Sequence, residues 1–207
     1  MSITLETPLP VSTVTSQPAE AARLSIADPA ALGLGAFALT TFLLSLANSG
    51  LIPAAGAAVL GIALFYGGIA QVAAGLWEFA KGNIFGATAF TSYGAFWLSF
   101  WWLETHPDVA KAAGAVGVGA FLLAWTLFTA FMTIAAAKTT RVLYAVFIVL
   151  TATFVFLTIG AFAAQQALTH IGGWLGLLTA ALAWYVSASV VINSTWKRTV
   201  LPVWPVG

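Results

Sequence analysis

The chain contains no cysteine, which removes disulfides, thiol nucleophiles and thiolate metal sites together. Charge is almost as scarce: Asp, Glu, Lys and Arg make up 6% of 207 residues and leave a net charge of +1. No basic surface is available for nucleic acid. The two histidines, His106 and His170, are isolated and make no zinc site, so no metal is expected. There is no paired-carboxylate motif, no Ser/His/Asp set and no phosphate-binding loop, which argues against an enzyme; no cofactor is expected. What is present is apolar. Hydrophobic side chains make up 61% of the chain and the mean hydropathy is +0.99, far outside the range of a soluble domain. This is the composition of an integral membrane protein, expected in the plasma or inner membrane.

Residues 1–27 are rich in Ser, Thr and Pro and lack the short apolar core of a signal peptide. They read as a flexible cytosolic tail. A spanning helix needs about 20 mainly apolar residues, so the gaps between charges count the helices. Three gaps stand out: Asp28 to Glu78, Lys111 to Lys138, and Arg141 to Lys197. The first breaks at NSGLIP, where Gly50 can end one helix and Pro53 can start another. Asn83 to Leu103 is a third span and Ala113 to Ala136 a fourth. The last gap divides at QQALTHIGG, with Gln165 and Gln166 closing the fifth helix and His170 in the outer turn before the sixth. The expected fold is all-α, six transmembrane helices over 28–195 with a pore inside the bundle, followed by a short cytosolic tail, 196–207.

Orientation follows from Lys and Arg in short loops. Arg23, Lys81, Lys138, Arg141, Lys197 and Arg198 share one side with both termini in a six-span arrangement, and Lys111 alone lies opposite, beside His106, Glu104 and Asp108 in an outer loop. Both termini are therefore expected in the cytosol. Phe96, Trp97, Phe100, Trp101 and Trp102 are expected to anchor the third helix in lipid and at the outer interface, and Trp196 the last helix at the inner one.

Three helices carry small and polar side chains at helical spacing. In the first, Asp28 suits the N-cap and Pro29 the first helical position, and Phe37, Thr41, Leu44 and Asn48 follow on one face. The second has Gly67, Gly68, Gln71, Gly75 and Glu78 on one stripe, with Lys81 placed to pair with Glu78. The third has Thr88, Thr91, Ser92, Ala95 and Ser99. Each face alone suits close helix packing. Three together suggest a shared polar pathway.

DPAALGLGAF (28–37) resembles the NPAPLGL signature of the acetate uptake transporter family, also called the succinate-acetate permease or GPR1/FUN34/YaaH family. FYGGIAQVAAGLWEFAKGNIFGATAFTSYGAFWLS (65–99) is similar to that family's most distinctive block, and KTTRVLYAVF and RTVLP fall where its later helix and tail would put them. The resemblance implies a homo-oligomer, a hexamer in known members, whose six-helix protomers move acetate above all and, in some members, succinate. It also implies an apolar constriction to which Phe37, Tyr93 and Leu150 would contribute. This chain departs from the family at Asp28, where members usually have Asn, at Ala31, where they have Pro, and at Val190, where relatives carry Glu.

Moving a carboxylate raises a charge problem. An ionised group at the bilayer centre costs roughly 2.5 to 3.5 kcal/mol on insertion scales, and no Lys or Arg falls inside a span to offset it. Hydroxyls and amides remain, with Thr41, Asn48, Gln71, Thr88, Thr91 and Ser92 as lining candidates and Asp28 and Glu78 at the mouth. Weak, transient binding of that kind suits conduction. The alternatives are a channel for small neutral solutes such as urea, or a non-transporting membrane sensor or assembly subunit.

Overall fold

The computed structural model describes residues 26–206. The expected tail, up to residue 25, and with it Arg23, lies outside the described residues. Asp28 opens the first helix as its side chain predicts: its Oδ1 accepts from the Ala30 N–H at 3.0 Å while Pro29 already has helical dihedrals. Helix α1 runs Ala30–Asn48. A second rod follows in three pieces, α2 (Ala55–Leu64), a π-helical segment (Phe65–Ala70) and α3 (Gln71–Lys81). Gly82 ends it in the left-handed region, φ +82°, which glycine adopts without a Cβ penalty. Asn83 then caps α4 (Ile84–Thr105), its Oδ1 accepting from Gly86 N–H at 3.1 Å.

The later boundaries differ from the expected ones. Helix α5 is Pro107–Ala136, starting at a proline that fits the first turn, so a single residue, His106, separates it from α4. There is no outer loop from 104 to 111; instead His106 stacks on Trp102 with ring centroids 3.6 Å apart, and α5 bends at Gly114. Helix α6 is Arg141–Phe162, capped by Thr140, and α7 is Gln166–Trp196. Gln165 and Gln166 thus begin the last helix rather than close the one before, and His170 lies within α7 rather than in a turn. The turn is made by Ala163, Ala164 and Gln165, with Ala164 in the left-handed region at φ +48°, so the break falls earlier than the polar run suggests.

Five of these rods are long and apolar enough to cross a membrane: Ala30–Asn48, Ala55–Lys81, Pro107–Ala136, Arg141–Phe162 and Gln166–Trp196. Helix α4 has the length, 22 residues, but its glycines, hydroxyls and indoles dilute its hydropathy. In the bundle α7 lies along both α1 and α6, α6 along α5, and α4 along α3, while the α4–α5 contact completes the ring. Hydroxyls zip α5 to α6: Thr126 meets Thr158 at 2.9 Å and Thr133 meets Thr151 at 2.8 Å. Gly75 is where α3 and α4 come closest, since a Cβ there would fall on the Thr91 side chain and backbone.

After α7 the chain folds back against the bundle. Asn193 holds it with both ends of its amide, Nδ2 donating to Leu201 O at 2.9 Å and Oδ1 accepting from Val200 N–H at 2.7 Å and Leu201 N–H at 2.9 Å. Tyr185 Oη donates to Pro202 O, and Thr140 and Pro205 form an antiparallel bridge. Residues 197–206 are thereby laid across the ends of α5, α6 and α7, with Arg141 N–H donating to Trp204 O and Val206 N–H to Thr139 O.

Candidate functional site

Phe37 on α1, Tyr93 on α4 and Leu150 on α6 come together in the middle of the bundle, each less than a tenth exposed. Two cavities meet at these residues and, among the described residues, share only them. The first, about 190 Å³, is lined mainly by apolar side chains such as Leu34, Ala89, Val146 and Val186, and reaches Asn83, Thr140 and Val203. The second, about 40 Å³, is lined by Thr41, Leu44, Ser45, Asn48, Trp97 and Thr153 among others. A third, about 240 Å³, shares Leu44, Asn48, Phe96 and Leu157 with the second and extends to Glu104 and Thr169. The series runs from the end of the bundle that holds Lys81 and Arg141 toward the α4–α5 junction.

The ring of Tyr93 is held on several sides. It lies 5.6 Å from Phe37, 5.4 Å edge-on from Phe128 and 6.2 Å from Phe147, and its hydroxyl is 2.9 Å from Thr129 Oγ1. Most other hydroxyls return their proton to their own helix: Thr126, Thr129, Thr133, Thr151, Thr153 and Thr179 all donate to the carbonyl four residues back. A hydroxyl on a helix face is therefore not automatically a donor toward a pathway.

Gln71 is different. It follows the π-helical segment, is 1% exposed and lines the first cavity, yet neither Nε2 nor Oε1 has a hydrogen-bond partner among the described residues. Thr41 Oγ1 and Trp97 Nε1 are buried in the same unpartnered condition around the second cavity. Buried polar groups without partners cost about 1 to 3 kcal/mol each, which a fold retains where the group has another task.

The stripe of α1 is confirmed as one face, since Phe37, Thr41, Leu44 and Asn48 all line the second cavity. The hydroxyl face of α4 is not brought there. Thr88, Thr91 and Ser92 line none of the three cavities; Thr91 is packed on Gly75, and Ser99 Oγ donates to Ala95 O on an exposed surface. The register of α4 explains this, because Tyr93 and Ala89 line the first cavity while Thr91, off that face, packs on Gly75 of α3. Phe96 and Trp97 are also inside, packed with Trp125 and Phe100, and not lipid anchors; Trp102 and Trp196 are exposed.

At the other end, Asp28 and Glu78 are joined by one cation. Lys81 Nζ lies 2.8 Å from Asp28 Oδ1 and 3.8 Å from Glu78 Oε2, and Asn83 Nδ2 donates to the same Glu78 oxygen at 2.8 Å. The expected Glu78–Lys81 pair is present, and the shorter Asp28–Lys81 contact is one that sequence spacing does not reveal. Val190 lines the first cavity and keeps its wall apolar, while Ala31 O accepts from Ser187 Oγ at 2.7 Å, linking α1 to α7. Thr129, Trp97 and Val203 also contribute without any local sequence signal, because their roles come from neighbours remote in the chain.

Comparison with known proteins agrees with this architecture. The chain is 45% identical over 180 residues to the succinate-acetate/proton symporter SatP of Escherichia coli (strain K12), covering 86% of this chain and 95% of that one. It is 35% identical over 195 residues to acetate permease A of Emericella nidulans, covering 86% of this chain and 65% of the permease. A solved structure described as the bacterial acetate channel SatP superposes with a TM-score of 0.81 at 45% identity, covering 86% of this chain and 99% of that chain. Residues 11–207 match the sequence profile of the GPR1/FUN34/yaaH family, and with this length of match the chain belongs to that family.

Proposed function

We propose that this protein carries acetate, and with it other small carboxylic acids such as succinate, across the membrane through a pathway inside each protomer. The observation that carries the reading is the meeting of two cavities at Phe37, Tyr93 and Leu150 alone. Those three side chains form the narrowest point. Gln71 on one side and Thr41 and Asn48 on the other supply hydrogen bonds to the carboxyl group as it approaches and leaves. Weak binding by neutral donors keeps residence short, as conduction requires. Relatives described as an acetate permease, an acetate channel and a succinate-acetate/proton symporter support the substrate class.

In this reading α4 is the sixth spanning helix, stabilised within the ring by its neighbours rather than by its own hydropathy, and both termini are cytosolic. The grouping of Lys81, Lys138, Arg141 and Lys197 at one end supports that orientation. Asp28 and Glu78 then stand at the cytosolic mouth, neutralised in part by Lys81. Exposed apolar side chains such as Leu76, Trp77, Ile84 and Ile134 face lipid or neighbouring protomers of a homo-oligomer, a hexamer by resemblance. The test is uptake of radiolabelled acetate by proteoliposomes with and without a pH gradient. Protein-dependent uptake that competes with unlabelled succinate is expected; vesicles that take up no more acetate than protein-free controls would refute the reading.

A further inference from the structure

Thr129 lines neither of the cavities that meet at Tyr93, yet it controls what Tyr93 can offer there. It is fully buried on α5, with Oγ1 2.7 Å from Trp125 O and 2.9 Å from Tyr93 Oη. A carbonyl oxygen only accepts, so the single hydroxyl proton of Thr129 goes to Trp125 O. Tyr93 is then the donor in the Tyr93–Thr129 bond, and its only proton points away from the pathway. Phe37 and Leu150 have no polar side-chain atoms. The narrowest point therefore offers a passing solute no donor at all.

The surroundings offer no charge either. Among the described residues no Lys, Arg, His, Asp or Glu lines the two cavities on either side, and the third cavity adds only the carboxyl group of Glu104. A carboxylate anion, which only accepts hydrogen bonds, meets nothing that stabilises it between Phe37, Tyr93 and Leu150. A protonated carboxylic acid brings its own donor, and the Tyr93 oxygen keeps a lone pair to receive it.

Resting on the proposed transport of small carboxylic acids, we propose that Thr129 is a specificity-determining positioning residue: by holding the Tyr93 phenolic proton out of the pathway, it makes the protonated acid the species that crosses. The proton balance is closed. The carboxylate takes one proton from water on the entry side, crosses uncharged, and returns that proton to water on the far side. One proton accompanies each carboxylate and no net charge moves.

The experiment uses proteoliposomes of the full chain with an internal pH dye, labelled acetate and potassium–valinomycin potentials of either sign at equal pH, with flux into protein-free vesicles subtracted. Wild-type flux is expected to carry one proton per acetate and to be indifferent to the potential. Thr129→Val keeps the side-chain shape but removes the acceptor, which frees the Tyr93 proton to face the solute. Its flux is expected to become dependent on potential, with the proton-to-acetate ratio falling clearly below one, and Thr129→Ser is expected to restore the wild-type ratio. Wild-type flux that follows the potential, or a folded Thr129→Val protein with an unchanged ratio, overturns the proposal. If Thr129→Val does not fold, Tyr93→Phe decides: with no phenolic proton, its residual flux must stay at one proton per acetate, and a change in that ratio is fatal. Folded wild-type protein that moves no acetate at any pH refutes the transport reading itself, an outcome distinct from acetate flux of the wrong stoichiometry.

Discussion

The Lys81 ammonium lies 2.8 Å from the Asp28 carboxylate, tying the end of α3 to the start of α1 and leaving Glu78, 3.8 Å away, as its second and fully buried partner. The two carboxylates depend on that cation unequally. Asp28 is partly exposed, and such a pair is worth only about 0.2 to 1 kcal/mol. Asp28→Asn also keeps an N-cap, so it should leave the melting temperature nearly unchanged. Lys81→Met strips the buried Glu78 of its cation and should cost more, roughly 1 to 3 kcal/mol. Thermal unfolding of the purified protein in detergent checks the order; equal losses would mean that Glu78 draws nothing from Lys81.

Gln71 makes a prediction in which stability and function part. Its amide is buried without a partner, so Gln71→Leu removes an unsatisfied group of similar size from an apolar wall. The variant should melt at the same temperature as the wild type or higher. Acetate uptake should nevertheless fall severalfold at low substrate concentration, through a raised KM, because the unpartnered amide in the wall of the first cavity is free to bond the solute. Retained uptake at matched protein levels would make Gln71 a tolerated packing residue only.

Among the side chains that hold the C-terminal segment, Asn193 makes the most hydrogen bonds. Asn193 makes three hydrogen bonds to residues 200 and 201, and Val203 beyond them closes part of the first cavity. Asn193→Ala should speed hydrogen exchange at the Val200 and Leu201 amides by at least tenfold while the amides within α6 and α7 keep their protection. Exchange that stays slow in the variant would show that Tyr185 and the Thr140–Pro205 bridge suffice to hold the segment.

How much of this was legible in the sequence depended on whether the signal was local. Charge spacing and the capping residues Asp28, Gly82 and Asn83 mark helix ends directly, and the α1 face of Phe37, Thr41, Leu44 and Asn48 survives intact because a 3.6-residue period is a local property. Boundaries failed where polar residues lie inside a helix end rather than in a loop, as with Asp108 in the first turn of α5 and Gln166 at the start of α7. The hydroxyls of α4 misled for a different reason. Periodicity finds a face but not what it meets, and Thr91 meets Gly75 of α3. The Tyr93–Thr129 bond and the Asp28–Lys81 pair join residues far apart in the chain, so no pattern in a window could expose them.

Leu150 supplies the final prediction, because it is the one aliphatic member of the proposed constriction and can be trimmed without disturbing the aromatic packing around Tyr93. Discrimination by an apolar pocket is worth roughly 1 to 3 kcal/mol per methylene. The second cavity, about 40 Å³, is small and has Leu150 in its wall, so a shorter side chain there enlarges it. Leu150→Val should raise uptake of a three-carbon hydroxy acid such as lactate relative to acetate, and Leu150→Ala should raise it further. Phe37→Ala opens the same point from α1 but also removes the ring that lies 5.6 Å from Tyr93, so it should admit lactate with some loss of selectivity overall. Competition uptake with both labelled acids in the same vesicles gives the ratio independently of protein amount. A ratio that stays flat across all three variants would take the size filter away from Phe37, Tyr93 and Leu150, and with it the assignment of the narrowest point.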